Sequence, residues 1–148
     1  VYKIPMIMRY PAKIPGGIRV YRHISIVDFQ TTILSLMDID PCGREQGRDA
    51  SRLIADENIQ WNDDVFIYRS LHDRIGIITP EFELAYAHRS EHVLFDRRHD
   101  PRQTENLFYS KNYRTTVRGL SERLIRHNEH VQAPEMEWLP SEVQDALG

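Results

Sequence analysis

The chain has 148 residues, the length of one ordinary domain, and with 41% hydrophobic and 28% charged residues it has the composition of a globular protein. Its 19 basic and 22 acidic residues give a formal charge of -3, so no broad basic surface is available for a nucleic acid or an anionic membrane. The longest apolar runs, such as TTILSLM, are much shorter than the roughly 20 residues of a membrane-spanning helix, so neither nucleic acid nor membrane is expected as a partner.

The first part of the chain begins with strand-like residues. Residues 4–9, IPMIMR, are a short apolar run, and YPAKIPGG after them has the prolines and paired glycines of a loop. RVYRHISIV, at residues 19–27, is a second β-branched segment. Because these two strands and one helix cannot enclose a core, we expect residues 1–58 to be the edge of a larger α/β sheet. The chain starts without an initiator methionine or a signal-peptide pattern, which favours a missing upstream part.

The residues after Asp28 have the periodicity of an amphipathic helix. Asp28 is a favourable N-cap for FQTTILSLMDI, and Pro41 predicts that the helix ends near residues 38–40. The apolar face of this helix is expected to consist of Phe29, Ile33, Leu36 and Met37. A charged loop follows up to residue 62, with one short helix around ASRLIAD, and we place the domain boundary between residues 58 and 59.

The second part of the chain, residues 59–148, has four segments of strand length. They are DVFIYR, RIGIIT, FELAYA and HVLFD, at residues 64–69, 74–79, 82–87 and 92–96. The last two connections, PE and HRSE, are short, which favours an antiparallel meander. One face of this sheet is expected to be apolar, with alternation along the third strand of Phe82, Leu84 and Tyr86 against Glu83 and Ala85.

A final helix is expected to cover that apolar face. Ser110 can cap it, and its buried face is predicted from the spacing of Tyr113, Val117, Leu120 and Leu124. Its other face alternates basic with acidic residues, as a solvated face does. The tail from residue 132 contains two prolines and is expected to pack loosely along the surface. The second part is therefore predicted to be a small α+β unit.

Two histidine pairs have spacings that suit metal binding on a helix: His88 with His92, and His127 with His130. The first pair lies in a predicted turn and the second near a helix end without a carboxylate cluster, so we favour structural roles. DIDPCGREQGRD, residues 38–49, is similar to a calcium loop, but Pro41 and its neighbours interrupt the pattern. We therefore predict no metal site in this chain.

Cys42 is the single cysteine, which excludes an internal disulfide and leaves the compartment of the protein open. A thiolate beside Arg44 could be a nucleophile. Because the sequence positions no base for it, and because Pro41 and Gly43 fit a turn, we interpret Cys42 as a surface thiol.

The segment HVLFDRRHDPRQTENLF, residues 92–108, is either a catalytic loop or a structural joint. Asp96, Asp100 and Glu105 could act as acid and base, but an exposed turn offers no desolvation to separate their pKa values. The Asp-Pro pair favours a turn, and a side chain such as Asn106 can bond the backbone there. We therefore predict a joint that fastens the last strand to the last helix.

The same segment resembles the carboxy-terminal signature of the sulfatases, in which a strand ending in Leu-Tyr-Asp leads to Asp-Pro, Glu-Thr and Asn-Leu. The matching residues here are Leu94, Phe95, Asp96, Asp100, Pro101, Thr104, Asn106 and Leu107, with Gln103 where the family often has Glu. Upstream, KIPMIMRYPAKIPGG is similar to VPLIIRWPGKIPAG, and ISIVDFQTTILSLMDID to VSHVDLLPTLLELAGI. EQGRDASRLI and RIGIITPEFELAY resemble LQGRSLLPLL and RAVRTDRYKLIY. The five segments keep the family's order and together cover roughly residues 3–130.

The resemblance implies an incomplete α/β fold of the alkaline-phosphatase-like type. Residues 1–58 would be the end of the catalytic α/β domain, and residues 59–148 a carboxy-terminal subdomain with a four-stranded antiparallel sheet and a covering helix. Sulfatases hydrolyse sulfate esters or sulfamates with a formylglycine beside a calcium ion, both in the amino-terminal portion of the family. Cys42 does not match the Cys-x-Pro-x-Arg motif, because Arg44 and Gln46 stand where Pro and Arg are needed. The chain alone would therefore lack catalytic residues and be inactive.

The substrate that the resemblance implies is a sulfated small molecule or glycan, and loops of the subdomain help to shape its entrance. The loop YRSLHD is the best candidate for the rim, with Arg69 and His72 as donors to an anionic or sugar substrate. Surface residues without a role are the alternative. A phosphonate or phosphate ester hydrolase of the same superfamily is the second candidate function, and a noncatalytic remnant that binds a partner is the third.

Overall fold

The computed structural model describes residues 3–56, 58–69 and 73–148. The chain divides into two compact units, Val1–Asn62 and Asp63–Gly148. The domain boundary after residue 58 stays a prediction. Within the described ranges, every helix is too short or too polar to span a bilayer. That the first unit belongs to a catalytic domain stays a prediction.

The first unit contains two helices, α1 at Asp28–Leu36 and α2 at Ser51–Ala55. The short helix predicted around ASRLIAD is confirmed. Hydroxyl groups join the two helices: Thr32 Oγ1 accepts the Ala50 N–H at 3.0 Å, and Ser35 Oγ lies 3.1 Å from Ser51 Oγ. The contact between α1 and α2 is therefore polar, and the residues of α1 that face α2 are small and carry hydroxyl groups.

The buried face of α1 is not the predicted one. Asp28, Thr32 and Leu36 are its buried residues, whereas Phe29 and Met37 are 47% and 58% exposed. The prediction assumed that the most apolar face turns inward. In this unit the inward face instead carries the groups that hydrogen-bond to the segment before α2.

The strands predicted at residues 4–9 and 19–27 are wrong, because residues 3–27 form no strand. A strand requires a neighbour that pairs with its backbone N–H and C=O groups. The described part of the first unit contains no strand that could be this neighbour, and Ile4 and Ile7 are 70% and 95% exposed. An apolar, β-branched pattern therefore does not form a strand without a partner.

The second unit is built on a four-stranded sheet. Its strands are β1 (Val65–Tyr68), β2 (Arg74–Ile78), β3 (Phe82–Ala87) and β4 (Val93–Asp96). They pair antiparallel in the order β1-β2-β3-β4, which confirms the predicted meander. The register places Ile77 opposite Leu84 and Leu84 opposite Leu94, so three fully buried side chains lie side by side on one face.

The helix predicted to cover the sheet is α3, Arg114–Val131, and a 3₁₀ turn at Lys111–Tyr113 precedes it. The buried residues of α3 include the predicted Val117, Leu120 and Leu124. Ser110 lies before the 3₁₀ turn, where its side chain makes no capping hydrogen bond. The predicted cap is therefore wrong, because the chain enters α3 through a tighter turn.

The tail does not pack loosely, contrary to the prediction. It forms a 3₁₀ turn at Pro134–Met136 and a fourth helix, α4, at Leu139–Leu147. Met136, Leu139 and Val143 belong to the same buried cluster as the sheet and α3. A proline in the first turn of a helix leaves no hydrogen bond unmade, so Pro140 is compatible with the start of α4.

Both faces of β3 are buried, although alternation predicted one polar face. Leu84 and Tyr86 are fully buried, and Glu83 and Ala85 are only 7% and 4% exposed. Glu83 is satisfied by Gln103, whose Nε2 donates to Glu83 Oε2 at 2.6 Å. The loop after β4 thus covers the face of β3 that the alternating sequence pattern predicts to be exposed to solvent.

Candidate functional site

A buried carboxylate organises the first unit. Asp28 is 1% exposed, and its Oδ2 accepts the Ser25 N–H at 2.9 Å and lies 2.9 Å from Arg48 Nη2. Its Oδ1 accepts the Arg48 N–H at 2.7 Å. Val27, not Asp28, is the N-cap of α1, so the predicted capping role is wrong. Because both oxygens are bonded within the protein, Asp28 is an anchor and not a free acid or base.

The partner of Asp28 extends this anchor. The guanidinium carbon of Arg48 lies 4.3 Å from the centroid of the Trp61 ring, and Arg48 Nη1 donates to the Asn62 carbonyl at 2.5 Å. Gly47 packs so closely that a Cβ there would lie 1.9 Å from the Val27 carbonyl oxygen. Sequence reasoning missed Arg48 and Trp61 as structural residues, although Arg48 lies within the EQGRD segment that resembles the family.

Cys42 has a structural environment. Its thiol donates to Glu45 Oε1 at 3.1 Å, and the N–H groups of Cys42, Gly43 and Arg44 donate to the same carboxylate. The Cys42 thiol, followed by the backbone N–H groups of Glu45, Cys42 and Gly43, lowers the pKa of Glu45 to about 2. Gly43 has φ +79°, which suits this turn. Cys42 is exposed and contacts a carboxylate, which is not the environment that activates a thiolate nucleophile.

The calcium-like loop does not gather its oxygen atoms around one point. Asp38 forms an ion pair with Lys13, while Asp49 Oδ1 accepts the Ser51 N–H at 2.8 Å at the start of α2. Across residues 3–56, 58–69 and 73–148, no three His, Cys, Asp or Glu side chains are arranged to hold a metal ion. The residues of this loop therefore do not fit calcium.

The joint after β4 is held by carboxylates that accept backbone hydrogen bonds. Asp96 Oδ1 accepts the N–H groups of Arg98 and His99 at 3.0 and 2.9 Å. Asp100 Oδ2 accepts those of Thr104 and Glu105 at 2.6 and 2.9 Å. The His99 N–H lowers the pKa of Asp96, and the Glu105 N–H lowers that of Asp100. Two ionised carboxylates in separate turns cannot divide the roles of acid and base.

Asn106 completes the joint by covering the outer edge of β4. Its Oδ1 accepts the Leu94 N–H at 3.1 Å, its Nδ2 donates to the His92 carbonyl at 3.0 Å, and the Leu107 N–H donates to the Leu94 carbonyl at 2.8 Å. Leu107 and Phe108 are buried in the core, as predicted. The segment contacts strand, core and helix start, which supports the predicted structural joint.

The two histidine pairs differ in their surroundings. His127 stacks on Phe66, with ring centroids 3.6 Å apart and planes 4° from parallel, and His130 is exposed. His88 and His92 both approach Glu142 of α4, with His88 Nδ1 3.2 Å from Oε1 and His92 Nε2 3.5 Å from Oε2. Sequence reasoning missed Glu142, which lies 50 residues after His92 in the misassigned tail.

The predicted rim lies at the turn between β1 and β2. Arg69 is 53% exposed at its side chain, and its Nη1 lies 3.4 Å from Asp73 Oδ2. Its N–H donates to the Arg74 carbonyl at 3.0 Å, which fixes the backbone at the end of β1. The other rim residue, His72, lies outside the described residues. An exposed ion pair is worth only about 0–1 kcal/mol, so the Arg69 guanidinium can exchange Asp73 for another anion.

A small pocket lies where the start of α3 meets the end of α4. It measures about 130 Å³, and its lining includes Lys111 and Arg114. Arg114 Nη2 donates to the Leu147 carbonyl at 2.5 Å, so its charge is already directed at the helix end. Pockets for small ligands usually exceed about 300 Å³, so this one is too small to enclose a sugar.

Comparison with known proteins identifies the family. Residues 1–130 match the family model described as N-sulphoglucosamine sulphohydrolase, C-terminal. The chain belongs to this sulphohydrolase family. No protein in the curated collection matches the chain significantly in sequence.

Solved structures share the fold. YidJ from Bacteroides fragilis, described as a candidate sulfatase, matches 88% of the chain with a TM-score of 0.73 and 18% identity. BT4656, solved in complex with its substrate D-glucosamine-2-N,6-O-disulfate, matches 87% with a TM-score of 0.69 and 22% identity. A Bacteroides thetaiotaomicron protein, from work on the metabolism of multiple glycosaminoglycans, matches 93% with a TM-score of 0.66 and 20% identity.

The sulphohydrolase family match and the shared fold confirm two predictions. The chain is a sulfatase carboxy-terminal portion, and its four-stranded antiparallel sheet with a covering helix is the subdomain of an alkaline-phosphatase-like fold. The chain spans between 29% and 32% of the length of these three proteins. What the whole protein does is therefore a separate question from what this chain contains.

Proposed function

We propose that the intact protein is a sulfatase that hydrolyses sulfate esters or sulfamates of sugars, and that this chain supplies its carboxy-terminal portion. The observation that carries the proposal is the family match over residues 1–130. The substrate bound to BT4656, a glucosamine with N- and 6-O-sulfate groups, supports a sulfated amino sugar as the substrate class. The similarity at 22% identity supports the class of substrate and not the position of its sulfate groups.

The catalytic groups of this enzyme are proposed to lie upstream of the chain. The family implies a formylglycine and a calcium ion, but the described residues do not fit either group. Cys42 donates to a carboxylate in an exposed turn, and Asp38 and Asp49 are bonded to separate partners. Any chemistry of formylglycine and calcium would therefore be supplied by residues outside this chain.

The surface of the first unit supports a larger protein around it. Its exposed apolar side chains include Ile4, Ile7, Tyr21, Ile26 and Val27, with exposed fractions of 70%, 95%, 76%, 75% and 54%. Several large apolar side chains exposed in the same unit favour a surface that is covered in the assembled molecule. We propose that the catalytic α/β domain covers it.

The rim of the substrate entrance is proposed to include Arg69 and His72. Arg69 offers an exposed guanidinium whose planar pair of N–H groups matches the oxygens of a sulfate. Because the carboxylate that pairs with its guanidinium among the described residues is that of Asp73, which is 42% exposed, little free energy is lost when a sulfated substrate replaces this contact. Both residues would bind and orient substrate and would not take part in the chemistry.

The deciding experiment is a substrate comparison with the intact protein. We expect hydrolysis of N-sulfated or 6-O-sulfated glucosamine, with an aryl sulfate as a weaker substrate. Phosphonate and phosphate monoesters are the matched controls. Faster hydrolysis of these esters than of sulfate esters would favour the second candidate function, a phosphonate or phosphate ester hydrolase. Absence of hydrolysis of any ester by a correctly folded intact protein would favour the noncatalytic remnant.

A further inference from the structure

Three ionisable side chains meet where α4 contacts the turn between β3 and β4. Glu142 Oε1 accepts the Arg89 N–H at 3.2 Å and lies 3.2 Å from His88 Nδ1, while Glu142 Oε2 lies 3.5 Å from His92 Nε2. His88 Nδ1 is buried and makes no hydrogen bond to the described part of the chain, so its contact with Glu142 is electrostatic. The Trp138 ring, just before α4, lies 5.3 Å from the His88 ring.

The proton position on His92 follows from its backbone partner. The Ala87 N–H donates to His92 Nδ1 at 3.3 Å, so in the neutral ring this nitrogen carries a lone pair and Nε2 carries the proton. An Nε2 that carries a proton lies 3.5 Å from the Glu142 carboxylate, where the contact is electrostatic, and has no lone pair for a metal. The cluster therefore joins α4 to the turn through the hydrogen bond from the Arg89 N–H to Glu142 and through the charge of Glu142.

The surroundings of His92 disfavour a charge on it. The residue is 8% exposed, and its ring lies 4.8 Å from the Tyr86 ring and 5.1 Å from the Phe108 ring. Burial lowers the pKa of His92, and the negative charge of Glu142 opposes this only in part. The titratable and charged groups around it are Glu142 on α4, His88 and Arg89 in the turn, and Tyr86 on β3.

A second proton on His92 has a direct steric and electrostatic consequence. It binds to Nδ1, where it meets the Ala87 N–H, so two donors then face each other across 3.3 Å. The backbone amide of Ala87 loses its acceptor in a buried place, which destabilises this arrangement of the ring. The ring must turn away from β3, and Nε2 then leaves its position beside Glu142.

We propose that His92 is a proton-sensitive latch, which fastens α4 to the turn between β3 and β4 at neutral pH and loosens it when the imidazole becomes charged. The stability that His92 contributes is fully present above the ordinary histidine pKa of about 6.5 and is lost as the pH falls from there toward the lower pKa of the folded state. The latch concerns the packing of α4 and does not depend on the proposed enzymatic function.

Hydrogen exchange of the intact protein, followed by mass spectrometry, tests the latch. After correction for the intrinsic exchange rate, we expect amides of residues 139–147 to lose protection severalfold between pH 7.5 and pH 5. His92→Asn places an amide oxygen where Nδ1 accepts the Ala87 N–H and cannot titrate, so protection in this variant should be the same at both values. Equal protection of the unmodified protein at both values would overturn the proposal.

Two further variants keep the test independent of any folding defect in His92→Asn. Glu142→Gln removes the negative charge that favours the imidazolium, so the loss of protection should shift to lower pH. His88→Asn is the matched control, in which the response to pH should persist because His92 is unchanged. If the pH-dependent loss of protection of α4 vanishes in His88→Asn, the effect belongs to another group and the proposal is overturned. The same holds if the pH midpoint of this loss is unchanged in Glu142→Gln.

Discussion

The second unit encloses thirteen apolar residues in one buried cluster, while the first unit holds eleven of the thirteen exposed large apolar side chains in the described residues. The second unit is stabilised by apolar packing between a sheet and two helices. The first unit is organised instead around the buried Asp28 carboxylate and its contacts with Arg48. Similar apolar sequence patterns thus produce strands and a core only where partner strands are present in the same unit.

The largest effect is expected from a cavity in the second unit. Leu84→Ala should lower its free energy of unfolding by about 3 kcal/mol, because a fully buried leucine loses its transfer free energy and leaves a cavity. Exchange of the slowest amides of β2 and β3 measures this loss. Thr115→Ala, at an exposed position of α3, is the control and should change stability by less than about 0.5 kcal/mol. Equal losses in both variants would contradict the assignment of the core.

The corresponding change in the first unit is at its polar anchor. Asp28→Asn keeps the size of the side chain but removes the charge that Arg48 faces, and we expect a loss of about 2 kcal/mol. This is less than for a fully buried pair, because the Arg48 side chain is 36% exposed and solvent screens it. Denaturant unfolding, followed by the fluorescence of Trp61 in a Trp138→Phe background, measures the loss.

The control for this anchor is Asp38→Asn. Asp38 also pairs with a basic residue, Lys13, but its side chain is 81% exposed, so the variant should be nearly as stable as the parent. If Asp28→Asn and Asp38→Asn lower the free energy of unfolding equally, Asp28 is not a buried polar anchor. The first unit would then not differ from the second in being organised around a buried carboxylate.

The sequence predicts the meander correctly because its information is local. Strand-length apolar runs and short connections determine which segments pair, and a hydrophobic spacing of three and four residues identifies α3. The prediction for the tail is wrong because its two prolines suggest a loose segment, although Met136, Leu139 and Val143 have the same helical spacing. The Asp28 anchor was not predictable in this way, because Arg48 is 20 residues away and the contact depends on how the loop folds back.

A smaller effect is expected at acid pH in the joint after β4. The pKa of Asp96 is lowered by the His99 N–H, so its contribution to stability is present above the ordinary aspartate pKa of about 3.9 and is lost as the pH falls below it. Unfolding of the second unit, measured between pH 7 and pH 2.5, should show this loss. Asp96→Asn should flatten the profile below pH 4, whereas Asp145→Asn at an exposed site of α4 should leave it unchanged. A profile that stays steep in Asp96→Asn would assign the acid sensitivity to other carboxyls.

The smallest effect is expected at the proposed rim, where function and not stability is the readout. Arg69→Ala should reduce kcat/KM for a sulfated glucosamine by about tenfold, the equivalent of about 1.4 kcal/mol, because one exposed charge-assisted contact to substrate is lost. The change should appear mainly in KM, since Arg69 would hold the substrate equally in its ground and transition states. Arg98→Ala removes an arginine that is 62% exposed and paired with Glu81, so it is the matched control and should leave kcat/KM unaltered. Equal activity of the two variants would remove Arg69 from the rim.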